Sequence, residues 1–206
     1  MEIIKQNYLN NLNDNQKEAI IDPDGPCLIV AGAGSGKTKV LITRVVHIVK
    51  EKKAWPNQIL CVTFTNKAAR EMQNRISGFL NEKISSLPWL GTFHSVSAKI
   101  LRRHAEAVGL NSRFTIIDQE DQLRLIKNIC KAENIDVKKI SPQFILAFIN
   151  QWKNKGLLPK DVVTKKGLPL EKAILNVYKF YQERLKILNS CDFGDLILLC
   201  VTMFEN

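Results

Sequence analysis

A glycine-rich loop between an apolar run and an amphipathic pattern constrains the fold of this chain more than any other feature. Residues 27–38 read C-L-I-V-A-G-A-G-S-G-K-T. The apolar run at 27–31 predicts a buried strand, and Leu41, Val45 and Ile48 recur at the spacing of one helical face. A strand, a glycine-rich loop and a helix in this order are the context of a phosphate-binding P-loop.

The loop contains the groups that a bound nucleotide requires. Its glycines let the backbone turn so that successive N–H groups converge on a phosphate, and the helix adds the positive end of its dipole. Lys37 can reach the β- and γ-phosphates, and Thr38 can ligate Mg²⁺. Ala31 stands where the strict pattern G-x-x-x-x-G-K-[ST] has its first glycine. We therefore predict a nucleotide site formed by Ala31, Gly32, Ala33, Gly34, Ser35, Gly36, Lys37 and Thr38.

The composition and net charge of the chain indicate which kinds of molecule it could bind and where in the cell it would be found. The chain has 206 residues and a net charge of +10, which fits a polyanion such as nucleic acid, although a lysine-rich composition would give the same charge. No apolar run approaches the roughly 18 residues of a membrane span, so no membrane partner is expected. The first residues do not resemble a secretory signal, and Cys27 and Cys61 read as buried thiols in a reducing compartment. We therefore expect a cytoplasmic protein.

Three further segments of the first half predict elements around the loop. Residues 12–20 predict a short helix in which Gln16 either closes a capping box with Asn13 or faces a nucleobase. Residues 59–64 predict a second buried strand, whose polar following turn suits either a nucleic-acid backbone or an ordinary helix cap. Residues 87–95 predict a strand and a polar turn before a helix at 96–108, on which Lys99, Arg102 and Arg103 share a face.

The pattern changes near Phe114. Up to residue 113, alternating strands and helices predict an α/β fold: a parallel sheet with helices on both faces and ligands at the carboxyl ends of its strands. A short strand-like run is predicted at 114–118, followed by helices at 119–134, 141–154, 170–188 and 192–205 with no strands alternating with them. We divide the chain into a P-loop nucleotide-binding part, 1–113, and a helical subdomain, 114–206. Asp118 is the one candidate for a second acidic, Mg²⁺-holding residue, but the helices after it argue against that role. Asp192 and Asp195 are also acidic, but they open an apolar helix, where carboxylates cap the helix and meet its dipole.

Several motifs, in this order, resemble the N-terminal part of superfamily 1 DNA helicases of the UvrD/Rep/PcrA type. L-N-D-N-Q at 12–16 resembles the adenine-reading Q motif, and A-G-A-G-S-G-K-T at 31–38 resembles Walker A. T-F-T-N-K-A-A-R-E-M at 63–72 and G-T-F-H-S at 91–95 resemble motifs Ia and Ib. F-T-I-I-D-Q-E-D at 114–121, W-K-N-K-G-L-L-P at 152–159 and D-F-G-D-L at 192–196 resemble landmarks of the helical insert, subdomain 1B. The resemblance implies a RecA-like P-loop sheet.

The resemblance also implies roles for individual residues. Gln16 would read adenine, while Lys37 and Thr38 would act on the phosphates of ATP, with Thr38 on Mg²⁺. Lys39 would lie near the nucleotide, where the family usually has arginine; lysine keeps the charge but not the planar fork. Gly194 interrupts a usually acidic motif. The residues implied for the single-stranded DNA path are Thr63, Phe64, Asn66, Lys67, Thr92, Phe93 and His94.

The family's Walker B strand and second motor domain would come after Asn206. We therefore expect the N-terminal fragment of an ATP-dependent 3′–5′ DNA helicase. It would bind ATP and single-stranded DNA or single-strand/duplex junctions without unwinding DNA alone, and it would self-associate through surfaces exposed by truncation. A non-catalytic nucleic-acid-binding module is an alternative. A small P-loop kinase is another, but it would need an arginine-rich lid, and the chain has only eight arginines.

Overall fold

The computed structural model describes residues 7–21, 25–80, 87–135, 140–164 and 169–205. The chain divides into two compact units, Met1–Val96 and Ser97–Asn206. This division by contacts comes earlier in the chain than the predicted functional boundary after residue 113, which stays a prediction. Each unit has its own core and is described by itself.

The first unit contains a small parallel sheet and the helices that pack on it. Strands β1 (Cys61–Thr63) and β2 (Leu90–Thr92) pair in parallel, with Thr63 opposite Thr92. Both strands therefore end at the same edge of the sheet. The helices are α1 (Asp14–Ile21), α2 (Lys37–Lys50), α3 (Asn66–Phe79) and α4 (Phe93–Arg103), which continues into the second unit. Short 3₁₀ turns lie at Asn7–Leu9 and Pro56–Gln58.

Apolar faces of α2 and α3 build the core of this unit against the sheet. The buried side chains of α2 recur at helical spacing and meet Met72 and Ile76 of α3. Cys61 of β1 lies in the same cluster, with its thiol 3.2 Å from the sulfur of Met72. The buried apolar residues of α2 are Val40, Ile42, Val45, Val46 and Val49, whereas Leu41, predicted on that face, is 40% exposed. The predicted face was therefore wrong at Leu41, because the face that packs on the core is formed by positions 42, 45, 46 and 49.

The second unit is mainly helical. After a 3₁₀ turn at Ala105–Val108, strand β3 (Thr115–Ile116) pairs in parallel with β4 (Ser190–Cys191), far along the chain. Strand β3 lies within the strand-like run predicted at 114–118, whereas β4 was not predicted. The expectation that no strand alternates with the later helices was therefore wrong at β4, because a two-residue strand has too little sequence for a period to show. The helices are α5 (Gln119–Ala132), α6 (Pro142–Asn154), α7 (Pro169–Ile187) and α8 (Phe193–Glu205).

Two clusters of buried side chains stabilise the second unit. One joins α5, α6 and α7 and includes Trp152, whose ring stacks on that of Tyr178 with centroids 5.9 Å apart. The other collects Leu101, Phe114 and Leu196 around α8. None of the helices in the described ranges is long and apolar enough to cross a membrane.

The predicted strand before the glycine-rich loop is not formed. Residues 27–31 have no strand pairing, Leu28 and Val30 are each 88% exposed, and Cys27 is exposed rather than buried. An extended segment gains hydrogen bonds and burial only when a neighbouring strand accepts it. In the described part of the chain, no strand lies beside this segment. The fold is thus a mixture of helices and small parallel sheets, consistent with the α/β class, without the larger sheet that was predicted.

Helix α4 begins earlier than predicted. The residues expected to form a polar turn, Phe93 and His94, are the first residues of the helix, which ends at Arg103 instead of continuing to 108. Thr92, at the end of β2, explains the early start, because its Oγ1 accepts from Ser95 N (3.2 Å) and caps the first turn. The strand therefore passes directly into the helix.

Candidate nucleotide and nucleic-acid site

The glycine-rich loop folds as a tight turn at the start of α2. Gly34 (φ 76°) and Gly36 (φ 88°) adopt the left-handed region, where glycine meets no penalty. The Ser35 hydroxyl donates to Gly32 O (2.8 Å), which closes the turn. Val40 N donates to Gly36 O (3.0 Å), so the helix starts directly after the last glycine. The exposed loop therefore lies at the positive end of a fourteen-residue helix dipole.

Lys37 points its ammonium group back into the loop. Its Nζ donates to Ala31 O at 2.7 Å and to Gly32 O at 2.6 Å. Two carbonyl oxygens thus hold a cation in the concave side of the turn. A bound phosphate would compete with these carbonyls for the ammonium group, which forms stronger hydrogen bonds with an ionised acceptor.

Gln16 closes the predicted capping box and also contacts the loop. Its backbone N–H donates to Asn13 Oδ1 (2.9 Å), and Asn13 N donates to Gln16 Oε1 (3.2 Å). The capping interpretation is therefore confirmed. The amide nitrogen of Gln16 donates to Ser35 O (3.0 Å), a contact that local spacing does not reveal. The side chain thus joins the start of α1 to the phosphate loop.

Two further cations fasten α1 to α2. Lys39 Nζ donates to Asn11 O (2.6 Å), and the Arg44 guanidinium donates to Ala19 O (2.6 Å) near the end of α1. The role of Arg44 could not be predicted from the sequence, because its acceptor is a backbone carbonyl, which every residue has. Lys39, which the family pattern places near the nucleotide, is held by the segment before α1. These contacts fix Gln16 against the loop.

The two strands of the first unit end in an exposed aromatic pair. Phe64 follows β1, Phe93 follows β2, and their ring centroids lie 5.7 Å apart with planes tilted by 56°. Phe64 is 90% exposed and Phe93 is 42% exposed. Large aromatic side chains are ordinarily buried, so a solvated pair at the carboxyl edge of a parallel sheet is a candidate stacking surface for bases.

The other residues predicted for a DNA path lie in the same two strands or in the helices that follow them. Asn66 and Lys67 lie exposed in the first turn of α3, which Thr65 caps by accepting from Ala68 N (3.1 Å). His94 is exposed in the first turn of α4, whereas Thr63 and Thr92 lie in paired strand positions. The structure thus brings all the predicted path residues to one edge of the sheet.

The sequence profile of the UvrD/REP helicase N-terminal domain matches residues 12–206. This chain belongs to the UvrD/REP helicase family. It is 46% identical over 196 residues to a probable DNA helicase II homolog of Rickettsia conorii, covering 94% of this chain and 30% of that protein. It is 42% identical over 205 residues to the ATP-dependent DNA helicase PcrA of Bacillus subtilis, covering 100% of this chain and 28% of that protein. The chain therefore spans less than a third of the length of these relatives.

Gly91 is a further residue on which this UvrD/REP family site depends. A Cβ atom added there would lie 2.5 Å from Ser95 Oγ and 3.2 Å from Val96 Cγ2. Ser95 Oγ donates to Thr92 O (3.0 Å), and Val96 is buried, so neither neighbour can move freely. The close approach of backbone and side chains lets β2 turn directly into α4.

Replacing Gly91 with alanine should therefore lower the free energy of unfolding by about 1–3 kcal/mol through overpacking. Gly78, exposed near the end of α3 with no atom within 4 Å of an added Cβ, is the matched control. Gly78→Ala should instead stabilise the protein by about 0.4–1 kcal/mol, because alanine restricts the unfolded chain. Urea unfolding of both variants checks the pair. Equal effects at the two positions would refute the steric argument.

Outside this site, the UvrD/REP family chain contains a buried ion network in its second unit. Lys153 of α6 is fully buried, and its Nζ lies 2.6 Å from Asp192 Oδ2 and 2.7 Å from Asp195 Oδ1. Tyr181 donates to Asp192 Oδ2 (2.8 Å), and Gln182 donates to Asp195 Oδ1 (2.8 Å). One cation thus faces two carboxylates, whose remaining lone pairs are satisfied by hydrogen bonds.

The two carboxylates also cap α8 reciprocally. Asp195 N donates to Asp192 Oδ1 (2.9 Å), and Asp192 N donates to Asp195 Oδ2 (3.1 Å). Burial raises the pKa of Asp195. Burial acts in the same direction on Asp192, but the charge and hydrogen bond of Lys153 outweigh it and hold the pKa of that carboxyl below its usual value. The capping role predicted for these residues is confirmed, whereas their pairing with Lys153 was not foreseen.

Asp118 also caps a helix. Its Oδ1 accepts from Asp121 N (2.9 Å) at the start of α5, and its side chain is exposed. The N-cap position accounts for the carboxylate without a metal-binding role. The sequence argument against Asp118 as the second acidic residue of a P-loop enzyme stays a prediction.

Proposed function

We propose that this chain binds ATP with Mg²⁺ at the glycine-rich loop and single-stranded DNA at the carboxyl edge of β1 and β2. The observation that carries the proposal is the exposed Phe64–Phe93 pair at the edge where both strands end. An α/β fold commonly binds ligands at this edge. The names of the relatives, DNA helicase II and ATP-dependent DNA helicase PcrA, support the same pair of ligands.

The loop fits the polyphosphate of ATP. Its exposed backbone, two left-handed glycines and the start of α2 offer N–H donors, and Lys37 offers an exposed cation. Thr38, exposed in the first turn of α2, would contribute a hydroxyl to Mg²⁺. Gln16, already hydrogen-bonded to Ser35 O, would contact the adenine from the side of α1. When bound, ATP supplies the phosphoryl group whose transfer to water could drive movement on DNA.

The aromatic edge fits a single strand rather than the closed stack of a duplex. Every base has a π-face, so Phe64 and Phe93 would stack on splayed bases without sequence preference. Lys67 and Asn66, in the first turn of α3, would contact the phosphates. His94 would do the same from the first turn of α4.

The proposal is confined to these two binding functions. The relatives named as helicases are more than three times as long as this chain, so unwinding belongs to the whole proteins. For this chain alone we propose binding without unwinding. Self-association through the exposed apolar segment at residues 27–31 remains part of the proposal, because Leu28 and Val30 are almost fully solvated.

Replacing Phe64 with alanine should weaken binding of an oligo-dT single strand by about tenfold, since one lost base stack costs about 1–3 kcal/mol. Fluorescence anisotropy of a labelled oligonucleotide measures the change, and binding of a fluorescent ATP analogue should stay the same. Phe144, 43% exposed on α6 in the second unit, gives the matched control Phe144→Ala. If both substitutions leave DNA affinity unchanged, the stacking surface does not exist.

A non-catalytic nucleic-acid-binding module is the second candidate, and the net charge of +10 favours it. The same titrations separate the two proposals. Salt-dependent DNA binding together with no detectable nucleotide binding would favour the simple module. Binding of both ligands would favour the ATP-dependent interpretation.

A further inference from the structure

We propose that the second unit has its own binding groove for the phosphate backbone of DNA, at the end of α4. The proposal rests on a polar cavity of about 610 Å³ that follows the last turn of this helix. Arg102 and Arg103 give it positive charge, and the imidazole of His104 and the side chains of Asn111 and Ser112 also line it. Glu106 is the single acidic residue among those that line it. A concave surface with this balance of charge selects an anion.

The positive charge at the end of α4 is larger than is needed to offset the dipole of this helix. Cations in the last turn of a helix offset its dipole, typically by about 0.3–1 kcal/mol each, and that accounts for one role of Arg102 and Arg103. Both arginines and His104 are nevertheless exposed to solvent. Lys99 precedes Arg103 by one helical turn, and Arg113 follows the groove directly in the chain. The basic surface therefore extends beyond the end of the helix.

Arg102 is held in a fixed position. Its guanidinium carbon lies 5.1 Å from the ring centroid of Phe114, which is buried. A stacked guanidinium loses less conformational freedom on binding than a free one, and its planar fork matches two phosphate oxygens. The groove therefore presents at least one preorganised phosphate ligand.

The opposite wall of the groove is also fixed. Asn111 N donates to Asn189 Oδ1 (2.7 Å), and Asn111 Oδ1 accepts from Arg113 N (2.9 Å). Phe114 N donates to Asn111 O (3.0 Å), which completes the turn before β3. These hydrogen bonds hold the loop at 111–114 in one shape, so the groove does not have to form when a ligand arrives.

The partner that fits this groove is a nucleic-acid backbone rather than a small anion. Arg102 and Arg103 line the groove, and the exposed Lys99 and Arg113 lie on either side of them in the chain, so the positive charge continues past the groove. A phosphate backbone offers repeated charges at regular spacing and carries no sequence information. The proposal depends on DNA binding by the chain but uses residues outside the aromatic edge of the first unit.

The test is the salt dependence of DNA binding by the full chain. Each phosphate contact that is lost should reduce the slope of log K against log salt by about 0.7 for a single strand and about 0.9 for a duplex. The double variant Arg102→Gln/Arg103→Gln should therefore reduce this slope by the amount expected for the loss of roughly one to two phosphate contacts. Lys127→Gln/Lys131→Gln, on exposed positions of α5, removes the same charge and is the matched control. A smaller slope with duplex only, or with single strand only, would identify which form occupies the groove.

Two further variants keep the test decisive. The single variant Arg103→Gln leaves the contact between Arg102 and Phe114 intact. Any change in its salt slope therefore comes from the lost charge and not from altered packing around Phe114. Arg102→Lys should retain the slope but bind more weakly, because lysine keeps the charge and loses the fork. Phe64→Ala should lower affinity with little change of slope, which separates failure of the stacking proposal from failure of this one. Equal slopes for the arginine pair and the α5 lysine pair, with both DNA forms, would overturn the groove.

Discussion

Replacing Lys153 with methionine should lower the free energy of unfolding by about 3–5 kcal/mol, because it leaves the buried carboxylates of Asp192 and Asp195 without their cation. Methionine is unbranched and only one atom shorter than lysine, so most of the loss comes from the missing charge rather than from the missing volume. Urea unfolding followed by circular dichroism measures it. Lys127→Met, at an exposed position of α5, should change stability by less than about 0.5 kcal/mol.

A second substitution distinguishes the ionic network from ordinary packing. Adding Asp195→Asn to Lys153→Met removes one of the two unpaired charges, so the double variant should lose less stability than the sum of the single losses. Groups in one network typically couple by about 0.5–3 kcal/mol. Strict additivity would show that Lys153 acts only through its packing.

The network also gives stability a predictable dependence on pH. With a raised folded pKa, Asp195 keeps its proton in the folded state at a pH where the unfolded chain has lost it. This contribution is fully present below the unfolded pKa and is lost as pH rises through the folded pKa. Asp192 has a lowered folded pKa, so its contribution is present above the unfolded pKa and is lost as pH falls through the folded value. Asp195→Asn should therefore remove the decline with rising pH that begins near about pH 4. Parallel pH profiles for the native chain and Asp195→Asn would contradict the assignment.

The helices of the second unit could be predicted closely because their signals are local. Helices were predicted at 119–134 and 141–154, and the structure has them at Gln119–Ala132 and Pro142–Asn154. Asp118 and Ser141 cap these helices from the adjacent residues, and the apolar period fixes the buried face. A cap and a period are both visible within a few residues of sequence.

The features that could not be predicted depend on partners distant in the chain. The run at 27–31 has the composition of a strand, but a strand forms only when another one pairs with it. Lys153 and Asp192 are 39 residues apart, and nothing in either segment indicates the other. The contact of Gln16 with Ser35 is of the same kind. The turn of the loop and the start of α2 could therefore be predicted from local residues, whereas the connection of the loop to α1 could not.

Replacing Lys37 with alanine should weaken binding of a fluorescent ATP analogue by about a hundredfold. The ammonium group would form charge-assisted hydrogen bonds with the phosphates, each worth about 1.5–3 kcal/mol, and alanine supplies none. In the protein without nucleotide, Lys37 Nζ contacts Ala31 O and Gly32 O at the exposed surface of the loop. Removing this exposed side chain should therefore leave the fold intact. Single-stranded DNA affinity should also stay the same, because the aromatic edge does not include this residue.

Lys39→Ala is the control that makes the result specific. Lys39 lies in the same first turn of α2, carries the same charge and is equally exposed, but its Nζ donates to Asn11 O. Its removal should weaken nucleotide binding only modestly, through a looser fit of α1. If both variants lose affinity equally, general positive charge rather than the loop binds the phosphates. ATP hydrolysis stimulated by single-stranded DNA and lost in Lys37→Ala would go further, because it would require a water-activating carboxylate within this chain.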